Sequence, residues 1–485
     1  MDMTVSVDQG LTAGSVTLSV AREGGGRRLR AVAPVAELLR AFQGSRSETA
    51  EGSVIVGPLS PENAAAVRQH APWLSPRPLG QSTSAGVGDR LGLATVGHVR
   101  AFRRHGEGVA AVFAQQSARE MERLGRSPQE VLDDATFGCV QAGWTLQVGA
   151  DADHLKTTSD IDSCLDAGFS MFTLDPGDHV RIAPDAPGPD DLAQVPWNHL
   201  EDDLDSLRRR YAGTSLDLGD SARPVEEVEV VRAAVKYGAA VAHTVAMYRH
   251  LLEAARSPVE VEVAVDEIDE VTTVFEHHFM VSELSRLGVR LVSFAPRYVG
   301  GFEKGVEYVG EPSRFAASFA QHAHLARTRG PYKLSLHSGS DKYSIYEQAV
   351  AATDGLIHLK TSGTSYLEAL VVAAECEPSL FREIYRLSRE AYREAKASYH
   401  VSARLDRAPE PDALVDASLV DLVTSPDTRQ ILHVGYGAVL TDRDSSGRAW
   451  IDQELRRLLH REAERYAGHL ETHIGQHLKH FARSS

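Results

Sequence analysis

Cysteine is nearly missing from this chain. Cys139, Cys164 and Cys376 are spread over 485 positions and fit no CxxC pattern, so no disulfide framework is expected. Basic charge is also in short supply: 51 Lys and Arg against 67 Asp and Glu leave a formal net charge of −16. A nucleic-acid surface needs a concentrated basic patch. The obvious cluster, Gly24-Gly-Gly-Arg-Arg-Leu-Arg30, is short and reads as a turn with solvated charges, so no nucleic-acid partner is expected. No apolar run reaches the roughly 18 residues that suggest a membrane span, and no membrane partner is expected either. Met1-Asp-Met-Thr-Val-Ser6 lacks the basic and apolar regions of a secretory signal; the expectation is a cytoplasmic protein. Three catalytic signatures are absent as well. Without GxGxxG or GxxxxGK[ST] the usual dinucleotide and phosphate loops are not indicated, and without GxSxG nucleophilic hydrolysis is not favoured.

What is present is a rhythm of apolar runs, each stopping at residues able to bind protons, metals or anions. Strand-like runs end near Thr95, Asp151, Asp175, Glu267, Arg297, His337, Lys360 and His433. Helical patterns separate them, as in Val109 to Gly143. Eight strands alternating with helices predict an α/β fold, a (β/α)8 TIM-like barrel, with chemistry at the carboxyl ends of its strands. Residues 1–85 read as an N-terminal β-rich cap, in which Ser15-Val-Thr-Leu-Ser-Val20 alternates at period two and Ser53-Val-Ile-Val-Gly-Pro58 is a short buried strand. Residues 86–445 make the barrel, and 176–255 is a mostly acidic helical insertion with no good strand inside it. Residues 446–485 form a C-terminal helix; the acidic surface and long terminal helices allow a homo-oligomer without requiring one.

Five short stretches could carry chemistry. Asp151-Ala-Asp153-His154-Leu-Lys156 places carboxylates and an imidazole just past a strand, fit for a divalent metal with one acid left as base; the bland alternative is a turn built on Asp. Asp266-Glu267-Ile-Asp269-Glu270 crowds four acids into five positions, which is costly unless a cation or solvent compensates. Glu267 ends that strand and is the expected inward member. Arg297 can hold a carboxylate bidentately, and Glu303, after Gly300-Gly301, can return to a metal; either can equally be a surface ion-pair residue. His337, followed by Ser-Gly-Ser-Asp341-Lys342, is placed for metal with small residues behind it, as a substrate-embracing loop would have. Lys360-Thr-Ser-Gly363 offers anion-binding groups. His277 and His278 are discounted as joint ligands, because consecutive helical residues point about 100° apart.

Taken in order, these motifs resemble the metal-dependent tagaturonate epimerases of bacterial hexuronate catabolism. The resemblance rests on Gly149-Ala-Asp-Ala-Asp-His-Leu-Lys156, Phe172-Thr-Leu-Asp-Pro-Gly177, Val265-Asp-Glu267 with Glu276-His-His-Phe279, Phe294-Ala-Pro-Arg297 with Gly301-Phe-Glu-Lys-Gly305, Lys333-Leu-Ser-Leu-His-Ser-Gly-Ser-Asp-Lys342 and His358-Leu-Lys-Thr-Ser-Gly363. It covers roughly residues 85 to 440. It implies interconversion of D-tagaturonate and D-fructuronate on a barrel-like fold with one divalent cation (Zn, Mn, Co or Ni). Carried onto this sequence, the metal falls on His154, Glu303 and His337, with Asp153 as proton acceptor and Glu267 as proton donor. Arg297, Lys342 and Lys360 are the candidate holders of the small sugar acid's carboxylate.

Two routes fit that reaction, since the keto acids differ at the carbon β to the ketone. One is retro-aldol cleavage, rotation and re-addition; the other removes and returns a proton on opposite faces. Two further readings stay open: an epimerase or aldolase for a neutral ketose or ketose phosphate, and a non-catalytic sugar or metal binder.

Overall fold

Eight parallel strands close on themselves in the computed structural model, which describes residues 10–482 apart from 24–25, 338–340, 362, 412–413, 444–446 and 448. Ahead of the barrel come β1 (Leu11–Ala13), β2 (Val16–Glu23), β3 (Gly26–Ala33), β4 (Ser45–Thr49) and β5 (Gly52–Gly57), an antiparallel sheet in the order β1-β2-β3-β5-β4. The sheet packs through β2 on the barrel helix Pro128–Ala142. That helix is started by a capping box, in which Ser127 and Glu130 satisfy each other's backbone amides.

The barrel opens with β6 (Ser84–Val87), β7 (Ala110–Ser117), β8 (Val148–Leu155) and β9 (Met171–Leu174). An excursion follows that holds a short hairpin, β10 (Ser215–Asp217) with β11 (Ala222–Pro224). The barrel ends with β12 (Glu260–Ala264), β13 (Ser293–Ala295), β14 (Lys333–His337) and β15 (Ile357–Thr361). β15 pairs with β6 and β9 with β12, so no edge is left. The expected (β/α)8 barrel is therefore the fold, with six of the eight expected strand runs in place.

Two strand expectations fail. Leu91–Val96 is not a strand: Thr95 begins the helix Thr95–His105, and the first barrel strand is the earlier Ser84–Val87. Gln430–Gly437 is not one either, but the end of the helix Pro426–Val434 and the start of Tyr436–Thr441. The second barrel strand, Ala110–Ser117, replaces part of the expected helix from Val109. Within 176–255 the hairpin corrects the expectation of no strand, and the long helix Glu227–Ala254 is a barrel helix, packed between Thr158–Ala167 and Val274–Arg286.

Both faces of a parallel barrel are covered, yet β12 alternates. Val261 and Val263 face the helices while Glu262 faces inward, buried, to meet Lys360 and His337. Barrel interiors are ordinarily filled by branched apolar side chains; this one is lined with ionisable groups. The amino-terminal mouth is plugged by the segment before β6. Leu79 and Gly80 donate their backbone amides to the two oxygens of Glu260, at 2.9 and 2.8 Å. Arg77 N donates to Val148 O at 3.1 Å, and the Thr83 hydroxyl to Gly355 O.

Beyond β15 the helices Thr364–Cys376, Pro378–Ala395, Leu419–Thr424, Pro426–Val434, Tyr436–Thr441 and Trp450–Arg461 share a second apolar core. The last helix, Ala463–Leu478, returns along Thr95–His105. Among the described residues no helix is long and apolar enough to cross a membrane.

Candidate active site at the carboxyl rim

β8 delivers two consecutive site residues, which a regular strand would send to opposite faces. Asp153 points inward; its neighbour His154 has φ of +52°, and the pairing of β8 with β9 shifts register between Ala152 and Leu155. The left-handed residue turns the imidazole back to the same rim. His154 Nδ1 donates to Asp175 Oδ2 at 3.0 Å. Across the rim, at the end of β14, His337 Nε2 donates to Glu262 Oε1 at 2.7 Å. The remaining nitrogens, His154 Nε2 and His337 Nδ1, face each other at 3.2 Å.

Each histidine thus spends one N–H on a carboxylate, as metal-binding histidines do. Two neutral rings in this arrangement would aim lone pairs at one another, so a proton or a cation must stand between them. Asp266 Oδ1 lies 3.2 Å from His337 Nδ1 and is buried without a hydrogen bond. Asp153 Oδ1 lies 3.8 Å from His154 Nε2. Burial pushes both imidazoles down, but the carboxylates outweigh it: Asp153 and Glu267 carry His154 up to about 10, and Asp266 with Glu262 carries His337 up to about 9. The cluster is short of positive charge. Asp153, His154 and His337 can together hold a metal ion, and so can His154, Asp175 and Glu267.

Beneath this pair Lys360 is enclosed in the barrel. Its Nζ reaches Asp151 Oδ2 at 2.7 Å, Asp153 Oδ1 at 2.8 Å and Glu262 Oε1 at 2.8 Å, and donates to Thr173 Oγ1 at 2.6 Å. Burial alone would neutralise the lysine; the three carboxylates hold it well above its usual value. Gln115 donates to the other oxygen of Asp153 at 2.9 Å. Burial also raises Asp153, but Lys360, His154 and His337 prevail and keep it ionised.

On the far side Glu267 is clasped by Arg119, whose two terminal nitrogens reach its two oxygens at 3.0 Å each, with Lys304 at 3.6 Å. Burial is again outweighed, here by His154, Lys304 and Arg119, and Glu267 is held well below the usual carboxylate range. Against His337 and Glu267 lies a cavity of about 240 Å³, lined also by Asp266, Arg297, Lys304 and Tyr399, and a smaller pocket sharing His337, Glu267 and Lys304 with it is lined by Asp153, His154, Arg119 and Lys360.

The structure thus brings Asp153, His154, Glu267, His337 and Lys360 together, with Arg297 on the cavity wall. Arg297 spends Nε on Ile268 O and Nη1 on the carbonyls of Tyr298 and Gly300. Glu303 is not brought to the histidines: its Oε2 accepts from Ser402 N at 3.0 Å and from Gln430 Nε2 at 2.8 Å. Lys342 faces away from the cavity, donating to the carbonyls of Glu303 and Val306, and burial takes it down to about 7. Lys360 serves the three barrel carboxylates, not a carboxylate in the cavity. The Ser338-Gly-Ser340 stretch and Ser362 lie outside the described residues. His277 and His278 do not share an ion; His277 faces His322 at 2.9 Å and Tyr332 at 2.9 Å.

Sequence reasoning missed Glu262, Arg119 and Gln115, and it preferred Glu267 over Asp266 as the inward acid. The signal for Glu262 was present in Val259-Glu-Val-Glu-Val, acids at alternate positions of an otherwise apolar strand. Gln115 left its trace in a glycine: a Cβ on Gly86 would stand 2.9 Å from Gln115 Cγ.

A parallel barrel with paired acids and bases at its carboxyl rim, beside a cavity walled by cations, is the arrangement of an enzyme that moves protons on a small polar molecule. The chain belongs to the UxaE tagaturonate epimerase family, whose profile matches residues 13–481. A tagaturonate/fructuronate epimerase of Thermotoga maritima is 39% identical over 423 residues, covering 86% of this chain and 84% of that protein. Among solved structures, the fructuronate-tagaturonate epimerase UxaE of Cohnella laeviribosi aligns with TM-score 0.88 at 31% identity in its native form, covering 99% of this chain and 97% of that one. Its complex with one glycerol gives TM-score 0.88 over 98% and 96%.

Proposed function

We propose that this epimerase interconverts D-tagaturonate and D-fructuronate in hexuronate catabolism, in the cavity between the His154–His337 pair and Glu267. The observation that carries the reading is the facing of two unspent imidazole nitrogens beside ionised Asp153, with Arg297 and Lys304 on the cavity wall to meet an anion. A neutral ketose would make no use of those cations. A ketose phosphate would call for a backbone nest behind the last strands, and Gly435-Tyr-Gly437 lies among helices.

The donor set suits one divalent cation of borderline hardness, such as Zn, Mn, Co or Ni. His154 Nε2 and His337 Nδ1 would hold it, with Asp266 or Asp153 supplying oxygen; Glu303 would join only by giving up Ser402 and Gln430. When bound, such an ion would polarise the substrate's ketone and hydroxyl oxygens.

The protein's own groups divide the remaining work. Asp153, fixed by Gln115 and Lys360, is ionised and poised to accept a proton. Glu267 is ionised too, so at rest neither acid has a proton to give. We read the pair with the retro-aldol route, in which Asp153 takes the hydroxyl proton at the reacting carbon, the carbon–carbon bond breaks, and the aldehyde rotates before the bond re-forms. After the bond re-forms, the new alkoxide is protonated by Glu267, which has taken a proton from solvent, while Asp153 gives its proton to solvent. Arg297 and Lys304 hold the carboxylate so that only the other end moves.

The test is conversion of D-fructuronate by the EDTA-stripped protein, restored with each metal and followed by NMR in D2O. Tagaturonate formed only with metal and without deuterium at the epimerised carbon is the expected result; deuterium there would replace the retro-aldol route by carbon deprotonation. Glu267→Gln is expected to keep its metal and lose turnover. Turnover of fructose but not of the uronate would put the neutral ketose first.

A further inference from the structure

A second histidine–carboxylate cluster lies outside the reaction cavity, and the epimerase reading makes no use of it. Glu471-Thr-His473-Ile-Gly-Gln-His477 places two imidazoles four residues apart, on one face of the helix Ala463–Leu478. Both approach Asp341, which enters the helix Tyr343–Ala352. His477 Nε2 lies 3.2 Å and His473 Nε2 3.5 Å from Asp341 Oδ1. We infer that Asp341, His473 and His477 form a second divalent-cation site, which fastens the last helix to the rim segment after β14.

The two histidines are oriented from behind. His473 Nδ1 faces Glu368 Oε1 at 3.5 Å, and His477 Nδ1 meets the Tyr346 hydroxyl at 3.0 Å. With each Nδ1–H turned to its oxygen, both Nε2 atoms face Asp341 Oδ1, and His477 Nε2 also meets the Tyr343 hydroxyl at 3.4 Å. His473 Nε2 and Asp341 Oδ1 are each buried without a hydrogen bond, although only 3.5 Å separates them. His473 is 8% exposed. In the tautomer that keeps the proton on Nδ1, His473 Nε2 and the carboxylate are two buried acceptors facing each other, which is costly unless something positive lies between them.

Arg429 answers only the other oxygen of Asp341, at 3.0 Å. A cation with two neutral imidazoles and one carboxylate satisfies all three donors at once, and the donor set selects zinc or a neighbouring transition ion over magnesium or calcium. Asp341 is partly exposed, which leaves a way in for the ion.

The test separates this site from the reaction cavity. His154→Ala/His337→Ala removes the first cluster; the protein is loaded with ZnCl2, passed through a desalting column and its metal counted by mass spectrometry. One zinc per chain is expected, falling to none when His473→Gln/His477→Gln is added. Cobalt in the same protein is expected to give visible d–d bands saturating at one equivalent. No zinc in the first variant, or zinc kept after the second pair of changes, overturns the site, whatever metal the reaction cavity holds. If His154→Ala/His337→Ala does not fold, calorimetric titration of the EDTA-stripped native chain replaces the count. The native chain should then take one equivalent more than its His473→Gln/His477→Gln variant, and equal uptake overturns the site.

Discussion

Buried acids line this barrel at both ends, and they are answered by different kinds of partner. At the amino-terminal mouth Glu260 receives the backbone amides of Leu79 and Gly80. Those donors are fixed in place and exchange no proton in the reaction. At the carboxyl rim Asp153, Glu262 and Asp266 are answered by Lys360, His154 and His337, which can move, lose a proton or yield to a cation. The chemistry of a buried carboxylate is thus set by whether its partner can change. One end is a plug and the other a machine, although the residue types are nearly the same.

That contrast can be broken in graded ways. Asp153→Asn keeps the shape of the rim and removes the base; kcat is expected to fall about 10²- to 10⁴-fold, the usual contribution of a positioned acid/base group, with the melting temperature little changed. Lys360→Met leaves Asp151, Asp153 and Glu262 without their shared cation. Removing one side of such a buried group costs about 3–5 kcal/mol, to be read in a denaturant midpoint together with loss of activity. Glu260→Gln at the opposite mouth weakens two charge-assisted hydrogen bonds at about 1–3 kcal/mol, and here kcat and KM are expected to stay at native values. A fall in kcat for Glu260→Gln would show that the two ends are coupled. Arg297→Ala is the mildest: KM for the uronate should rise about tenfold, equivalent to about 1.4 kcal/mol, with kcat held. An unchanged KM removes Arg297 from carboxylate binding.

The architecture was legible because most barrel strands are apolar runs that end at charged residues. Those that escaped did so for physical reasons. Ser84-Ala-Gly-Val87 is short and small, because Gly86 makes room for Gln115 on its way to Asp153. Ala110–Ser117 is buried along nearly its whole length, so it shows no alternation, and its Ala and Gln residues read as helix. Ile431-Leu-His-Val434 is buried all round as well, and periodicity does not distinguish such a helix from a strand. At the rim, residues within one strand or its end were visible as motifs. Arg119 reaches Glu267 across 148 positions, and no local pattern announces such a pairing. Glu303 looked aimed at a metal from its place after two glycines, yet Ser402 and Gln430, 99 and 127 residues on, hold its carboxylate.

The left-handed turn at His154 has a consequence for how this enzyme can change over generations. A residue with a Cβ pays strain at φ of +52°, of order 1–3 kcal/mol, and glycine would relieve it. Relief of that strain is no net gain in robustness, because His154→Gly also leaves the buried carboxylates of Asp175 and Asp153 without this partner. The same change deletes an imidazole from the rim. The strain and the contacts come as one package, so no single change at this position removes the first without forfeiting the second.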